Sequence, residues 1–230
     1  MNNKYTDLAE VKNNRHKYGT ILADPPWRFS NRSGKMAPEH KRLARYPTMS
    51  LEEICNLPIK DLSLPKSHLY LWVPNALIAE GLKVMECWGF KYKTNLVWHK
   101  IRKDGGPDGR GVGFYFRNVT ELILFGIKGS LRTKKSGRSQ VNIILSRKRE
   151  HSRKPDELYS IIEDCSSGPY LELFARHKRK NWHQWGNEIE SGPKSALKSN
   201  TDSDEVKFDI LTNDDLIKLN RMRHNLASVL

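Results

Sequence analysis

The sequence predicts an α/β fold built on a doubly wound, mostly parallel sheet. Two observations point there. Six short apolar runs rich in β-forming residues alternate with helical patterns. An acid, two prolines and a tryptophan stand directly behind the first run, where a parallel strand would end and where such sheets gather their functional side chains.

The elements follow in order. GTILA (19–23) is a short apolar run rich in β-formers, the pattern of a strand covered on both faces. SLEEICNL starts a helix at Ser50, with Glu53 three residues on as its capping-box partner. HLYLWV (68–73) is a second buried strand, and NALIAEGLKVMECWG a helix that Gly89 stops. NLVWH (95–99), VTELILFGI (119–127) and NIIL (142–145) read as strands. KPDELYSIIEDCSSG is a helix opened by Pro155, and YLELFA (170–175) a last strand. Beyond it, ESGPKSALKSNTDSDEVK is linker-like and FDILTNDDLIKLNRMRHNLASVL resumes an amphipathic helical pattern. The expected organisation is one domain over 1–190 and a linker with a helical tail over 191–230.

Forty Lys and Arg against 26 Asp and Glu give the 230-residue chain a net charge of +14, which favours a polyanionic partner. Composition alone leaves a merely basic protein equally open, so placement has to decide. The cations cluster where connections should be short. Residues 28–47 carry Arg28, Arg32, Lys35, Lys41, Arg42 and Arg45 against one acid, Glu39. The segment 128–151 includes Lys134, Lys135 and Arg138, and the glycine-rich 102–117 includes Arg110 and Arg117 and ends in aromatics. Three such insertions on one scaffold suggest a nucleic-acid-binding face, solvated loops being the alternative. Cys55, Cys87 and Cys165 lack a CxxC or metal-ligand spacing, so neither a disulfide framework nor a metal site is expected. The N-terminus lacks an apolar signal core, and no run reaches the roughly 18 apolar residues of a membrane span. A cytoplasmic protein without membrane contact is the expectation.

The stretch ADPPW (23–27) carries the chemistry. Two prolines end a paired strand and remove two N–H donors, leaving carbonyls as acceptors beside the acceptor-only carboxylate of Asp24. Trp27 adds a broad π-face. A ligand that suits this set is a flat ring bearing an –NH2 group, as in adenine or cytosine. Holding both N–H bonds orients the amine and lets its nitrogen become tetrahedral as it attacks, so the matching reaction is alkylation of that nitrogen. In a duplex the base would first be flipped out, with Trp27 or a nearby aromatic as its platform. A capped turn with a core tryptophan is the bland alternative for the same four residues.

In these residues the chain resembles the amino-methyltransferases that use S-adenosylmethionine and carry Asp-Pro-Pro-[Trp/Tyr/Phe]. It resembles more narrowly the branch that holds the mRNA adenosine methyltransferases and their prokaryotic DNA-adenine relatives. The likeness extends over YPTMSLEEICNLPI (46–59), LYLWVPNALIAEGLKVMECWGF (69–90), NLVWHK (95–100), SRKPDELYSIIE (152–163) and LELFARHKRKNWHQWGNE (171–188), in the family's order.

The resemblance implies a Rossmann-like methyltransferase domain whose catalytic motif precedes the cofactor-binding strand. It also implies transfer of methyl from S-adenosylmethionine to the exocyclic amine of adenine in double-stranded DNA, in a restriction-modification setting. Asp24, Pro25, Pro26 and Trp27 would be catalytic. Ala23, Asp24, Lys154, Glu172, Phe174, Arg176, His177, Asn187 and Glu188 would hold the cofactor. Here Ala175-Arg176-His177 lacks the proline that the family places in this step.

For contact with DNA, the candidates are Arg28, Arg32, Lys35, Arg42, Arg45, Lys100, Arg110, Arg117, Lys134, Lys135 and Arg138. His99, Lys100 and Glu121 could face the cleft or simply end their strands, and Tyr46 and Pro47 could cover the base or pack in the core. Trp72, Trp88 and Trp98 read as core. RNA adenosine methylation and a catalytically inactive nucleic-acid-binding subunit stay open as alternatives. So does the oligomeric state, a monomer on DNA included.

Overall fold

A computed structural model describes residues 16–29, 48–109, 115–147 and 153–186. They form one seven-stranded sheet with helices on both faces. The strands are β1 (Tyr18–Ala23), β2 (Ser63–Val73), β3 (Lys91–Ile101), β4 (Thr120–Lys128), β5 (Ile143–Arg147), β6 (Tyr170–Leu173) and β7 (Trp182–Trp185), in the spatial order β5-β3-β4-β2-β1-β6-β7. β1 pairs in parallel with β2 and β6, β3 with β5, and β6 with β7. β4 is antiparallel to both its neighbours, so it alone runs against the others. The expected mostly parallel α/β sheet is what the chain builds.

Alternation along the central strands sends side chains into two cores. Ile21 and Ala23 of β1, with Leu69, Leu71 and Val73 of β2, meet Ile54 of α1 (Leu51–Cys55), Val84 of α3 (Ile78–Cys87) and Trp88, the residue that caps α3. The short α2 (Ile59–Leu62) lies between these helices in sequence and adds Ile59 and Leu62 to the same core. On the other face, Leu22, Tyr70 and Trp72 pack with Trp98, Ile123 and the Leu158 and Ile162 of α4 (Glu157–Cys165). Trp72, Trp88 and Trp98 are therefore core residues. The Trp88 indole N–H also donates to the Ile54 carbonyl at 2.9 Å, tying α3 to α1.

The expected stops and starts are in place. The Ser50 hydroxyl accepts from the Glu53 N–H, and the Glu53 carboxylate accepts from the Ser50 N–H. Gly89 takes φ +80°, a left-handed conformation that lets the chain turn after α3 at little steric cost.

Two elements escape the sequence pattern. β7 is four residues long, with His183 and Gln184 between its two tryptophans, so it shows no apolar run. The segment 128–151 is not one insertion. Lys128 lies beside Ser67 at the amino-terminal end of the parallel strands, and the 129–142 connection starts there before β5 carries the chain back. Residues 191–230, the predicted tail, lie outside the described residues. So do Arg32, Lys35, Arg42, Arg45, Tyr46, Pro47 and Arg110.

Replacing Ser50 with Ala removes one half of the capping box. Urea unfolding is expected to show a loss of about 0.5–2 kcal/mol with an unchanged denaturant slope.

Candidate active site

Asp24 is the first residue past β1, the strand between β2 and β6. The chain reaches β2 through helices on one face and enters β6 from α4 on the other, so the carboxyl ends of β1 and β6 flank a topological switch point. A cavity of about 250 Å³ opens there, lined by Leu22, Asp24, Trp72, Tyr159, Glu172 and Phe174 among others.

The loop after Asp24 is pinned. The Trp27 N–H donates to the Pro25 carbonyl at 2.8 Å, and the Met49 N–H to the Pro26 carbonyl at 2.9 Å. The two proline carbonyls are thus not free, as the sequence suggested. Each keeps one lone pair for a further donor. Trp27 is only 8% exposed, and its indole N–H donates to the Trp72 carbonyl at 2.9 Å. Its ring belongs to the core, which leaves little of it for a stacked base.

A chain of charges fixes Asp24 from the side. Lys154 Nζ lies 3.3 Å from Asp24 Oδ2 and 2.8 Å from Glu121 Oε2, and Lys100 Nζ lies 2.5 Å from Glu121 Oε1. Lys154 also sits 4.6 Å above the centre of the Trp72 ring, a favourable position for a cation. Burial raises the Asp24 carboxyl above the usual range, against the pull of Lys154. Burial works the same way on Glu121, but Lys154 and Lys100 outweigh it and hold that carboxyl down at about 2. Lys154 is kept protonated, its two carboxylates prevailing over its burial.

On the far wall, Glu172 is the last residue but one of β6. Its Oε1 accepts from the Tyr159 hydroxyl at 2.7 Å and its Oε2 from the Gln184 amide at 3.1 Å. Burial pushes its pKa up, opposed by these two bonds. Arg179 stacks on the Tyr159 ring at 3.7 Å and pairs with Asp156 at 3.1 Å. Phe174 takes φ 63° immediately after β6, an unusual conformation for a bulky residue and of a kind that gathers at functional sites. Arg176 and His177 complete the rim of the cavity.

The structure thus brings Asp24, Lys154, Glu172, Phe174, Arg176 and His177 to one cavity; Ala23 does not line it but is buried in the core, and Asn187 and Glu188 lie outside the described residues. It assigns Lys100 differently. With its side chain 14% exposed and paired to Glu121, it is a member of the half-buried ion chain and not a solvent-facing phosphate contact. Lys134, Lys135 and Arg138 are also displaced from the expected binding face. Lys134 donates to the Glu163 carbonyl at 2.6 Å, and its own N–H to the Cys165 carbonyl at 2.8 Å, capping the C-terminus of α4. That end of α4 precedes β6, at the edge of the sheet opposite Asp24. Arg28 and Arg117 are exposed on connections at the Asp24 end.

Sequence reasoning left out Tyr159, Asp156 and Gln184 and left Glu121 open between facing the cleft and ending its strand. Glu121 did carry a signal: it is a lone acid at the head of an apolar strand, and a charge there needs a partner. Among the described residues no group of His, Cys, Asp or Glu could hold a metal ion, and no helix is long and apolar enough to cross a membrane.

The ion chain makes a prediction about acid. A depressed carboxyl stabilises the fold fully above its ordinary value of 4.5, and that contribution is lost as pH falls toward about 2. Glu121→Gln removes it and leaves Lys100 and Lys154 facing across a neutral amide. The expected cost at pH 7 is about 1–3 kcal/mol, with a shallower loss of stability between pH 4.5 and 3. Urea unfolding at both ends of that range checks it.

Comparison with known proteins agrees with this geometry. The MT-A70 family model matches residues 18–188. The chain is 29% identical over 212 residues to the type II methyltransferase M.MunI of Mycoplasma sp, covering 82% of this chain and 85% of that protein. It is 33% identical over 179 residues to a putative N(6)-adenosine-methyltransferase MT-A70-like protein of Medicago truncatula. That match covers 75% of this chain and 26% of the relative. To the N(6)-adenosine-methyltransferase catalytic subunit METTL3 of Homo sapiens it is 29% identical over 178 residues, 76% of this chain and 28% of that protein. The chain thus spans about a quarter of the plant and human proteins. With the family match running from the first strand through the last and enclosing the whole cavity, the chain belongs to the MT-A70 family of adenine-N6 methyltransferases, whose methyl donor is S-adenosylmethionine.

Proposed function

We propose that the chain methylates the exocyclic amine of an adenine flipped out of duplex DNA, as the modification arm of a restriction-modification system. The observation that carries the reading is the placement of Asp24, an acceptor held by Lys154 at the mouth of a cavity whose other walls suit the methyl donor. Carboxylates and cations both line that cavity: Asp24, Asp156 and Glu172 together with Lys154 and Arg176. This set fits a molecule that is itself cationic at sulfur and nitrogen, anionic at a carboxylate and rich in hydroxyls. Glu172 would accept from the ribose, since each carboxylate oxygen retains a lone pair beyond the bonds from Tyr159 and Gln184. Arg176 or the spare donor of Lys154 would meet the carboxylate.

S-adenosylmethionine supplies an electrophilic methyl group. The chain's own part is to hold the amine. Asp24 accepts one N–H, and the remaining lone pair of the Pro25 carbonyl accepts the other, so the nitrogen lone pair points at the donor. Burial raises the basicity of Asp24 and strengthens that bond as positive charge develops on nitrogen.

The choice of DNA rests on the likeness to the type II methyltransferase M.MunI, which covers 82% of this chain and 85% of that protein; the plant and human proteins are matched over 75% and 76% of this chain. Methylation of RNA adenosine is the second reading, favoured by the names of those same relatives. A binding subunit without catalysis is disfavoured by the presence of all four residues from Asp24 to Trp27.

Labelled methyl transfer to duplex DNA, single-stranded DNA and RNA, followed by identification of the modified base, tests the proposal. N6-methyladenine in duplex DNA is expected; label in RNA alone would move the chain to the second reading. Asp24→Asn is expected to lower kcat by about 10²–10³ or more, with S-adenosylmethionine binding retained. Wild-type turnover in that variant would contradict the role given to Asp24.

A further inference from the structure

The aromatic surface that the sequence nominated for stacking, Trp27, is buried, while two aromatics in the connection between β3 and β4 are not. Tyr115 and Phe116 are 87% and 85% exposed, the two most exposed large apolar side chains among the described residues. We propose that they form a stacking site for an unpaired nucleobase next to the reacting adenine. The inference rests on the nucleic-acid reading above and adds to it the residues that grip the distorted substrate.

Placement supports it. The connection leaves β3 and enters β4 at the Asp24 end of the sheet: Thr120 pairs with His99, and Glu121 is the residue bonded to Lys154. Asn75 clamps that entry, its amide donating to the Thr120 carbonyl at 3.2 Å. Four residue steps separate Phe116 from Thr120, so Phe116 lies within about 14 Å of the strand end.

The other root of the connection is equally firm. The Asp108 N–H donates to the Lys100 carbonyl at 2.8 Å, the Arg102 N–H to the Gly106 carbonyl at 2.7 Å, and the Asp108 residue is 2% exposed. Two exposed aromatic residues thus stand on a connection whose roots at β3 and β4 are both hydrogen-bonded in place at the Asp24 end of the sheet.

Chemistry selects the occupant. Lys103 and Arg117 are exposed on the same connection, which suits a polyanion better than an apolar protein surface. Every base has a π-face, and exposed aromatics flanked by cations are the recurring way of binding bases that have left a stack. Extruding one adenine exposes such faces, on its neighbours and on the partner left behind.

The test uses the full chain and two fluorescent duplexes that differ only in one unpaired adenine, with the matching pair of RNA hairpins alongside. Wild type is expected to prefer the probe with the unpaired base. Tyr115→Ala with Phe116→Ala is expected to lose about tenfold or more in affinity for that probe and little for the fully paired one, with S-adenosylmethionine binding unchanged. Tyr115→Phe with Phe116→Tyr should restore the preference, whereas Phe116→Leu, apolar without a flat ring, should not restore the contribution of that position.

An alanine variant that keeps the preference overturns the stacking site while leaving the function reading intact. Equal loss on both probes overturns it as well, since the pair would then act on general binding. A change from dimer to monomer without loss of the preference assigns the pair to a protein interface instead. Failure of wild type to bind either nucleic acid brings down the function reading itself.

Discussion

The structure turns on the need to keep one carboxylate ionised and oriented at the end of a buried strand. Asp24 emerges from β1, all of whose residues are covered. Left alone there, it would be driven toward its neutral form by burial. Lys154 opposes this without cancelling it, and a single lysine between Asp24 and a cavity would itself be poorly fixed. Glu121 fixes it from behind and is in turn steadied by Lys100, so the charges alternate from strand end to strand end: negative, positive, negative, positive.

This requirement accounts for the reversed strand. Because β4 runs against its neighbours, its first residues, and not its last, lie beside the carboxyl ends of β2 and β3. Glu121 therefore reaches the same end of the sheet as Asp24 from a strand that begins there. Lys154 arrives from the segment before α4, and Glu172 from the end of β6. Asp24, its cation, the cation's anchor and the cavity wall come from four separate chain segments. They meet because parallel strands share an end.

The alternating pattern of strands and helices was legible in the sequence because buried strands are apolar and their helices carry caps, as Ser50, Glu53 and Gly89 do. Asp24 was legible because position and chemistry coincide in it. The roles of Pro25 and Trp27 were less so: proline carbonyls and an indole N–H look available in a sequence, and only the fold shows Met49 and Trp72 as their partners. The charge count did not show the partners of Lys100 and Lys134: the first neutralises a half-buried glutamate and the second caps a helix. Partners that come from distant segments, such as Tyr159 and Gln184 around Glu172, leave no local trace at all.

The account is tested most directly by a double-mutant cycle read in kcat for methyl transfer, pairing Glu121→Gln with Lys154→Met. If Glu121 acts on Asp24 only by fixing Lys154, each single change lowers kcat, and adding Glu121→Gln to Lys154→Met lowers it no further. Additive losses would contradict this, since Glu121 would then reach the reaction by a route that does not pass through Lys154.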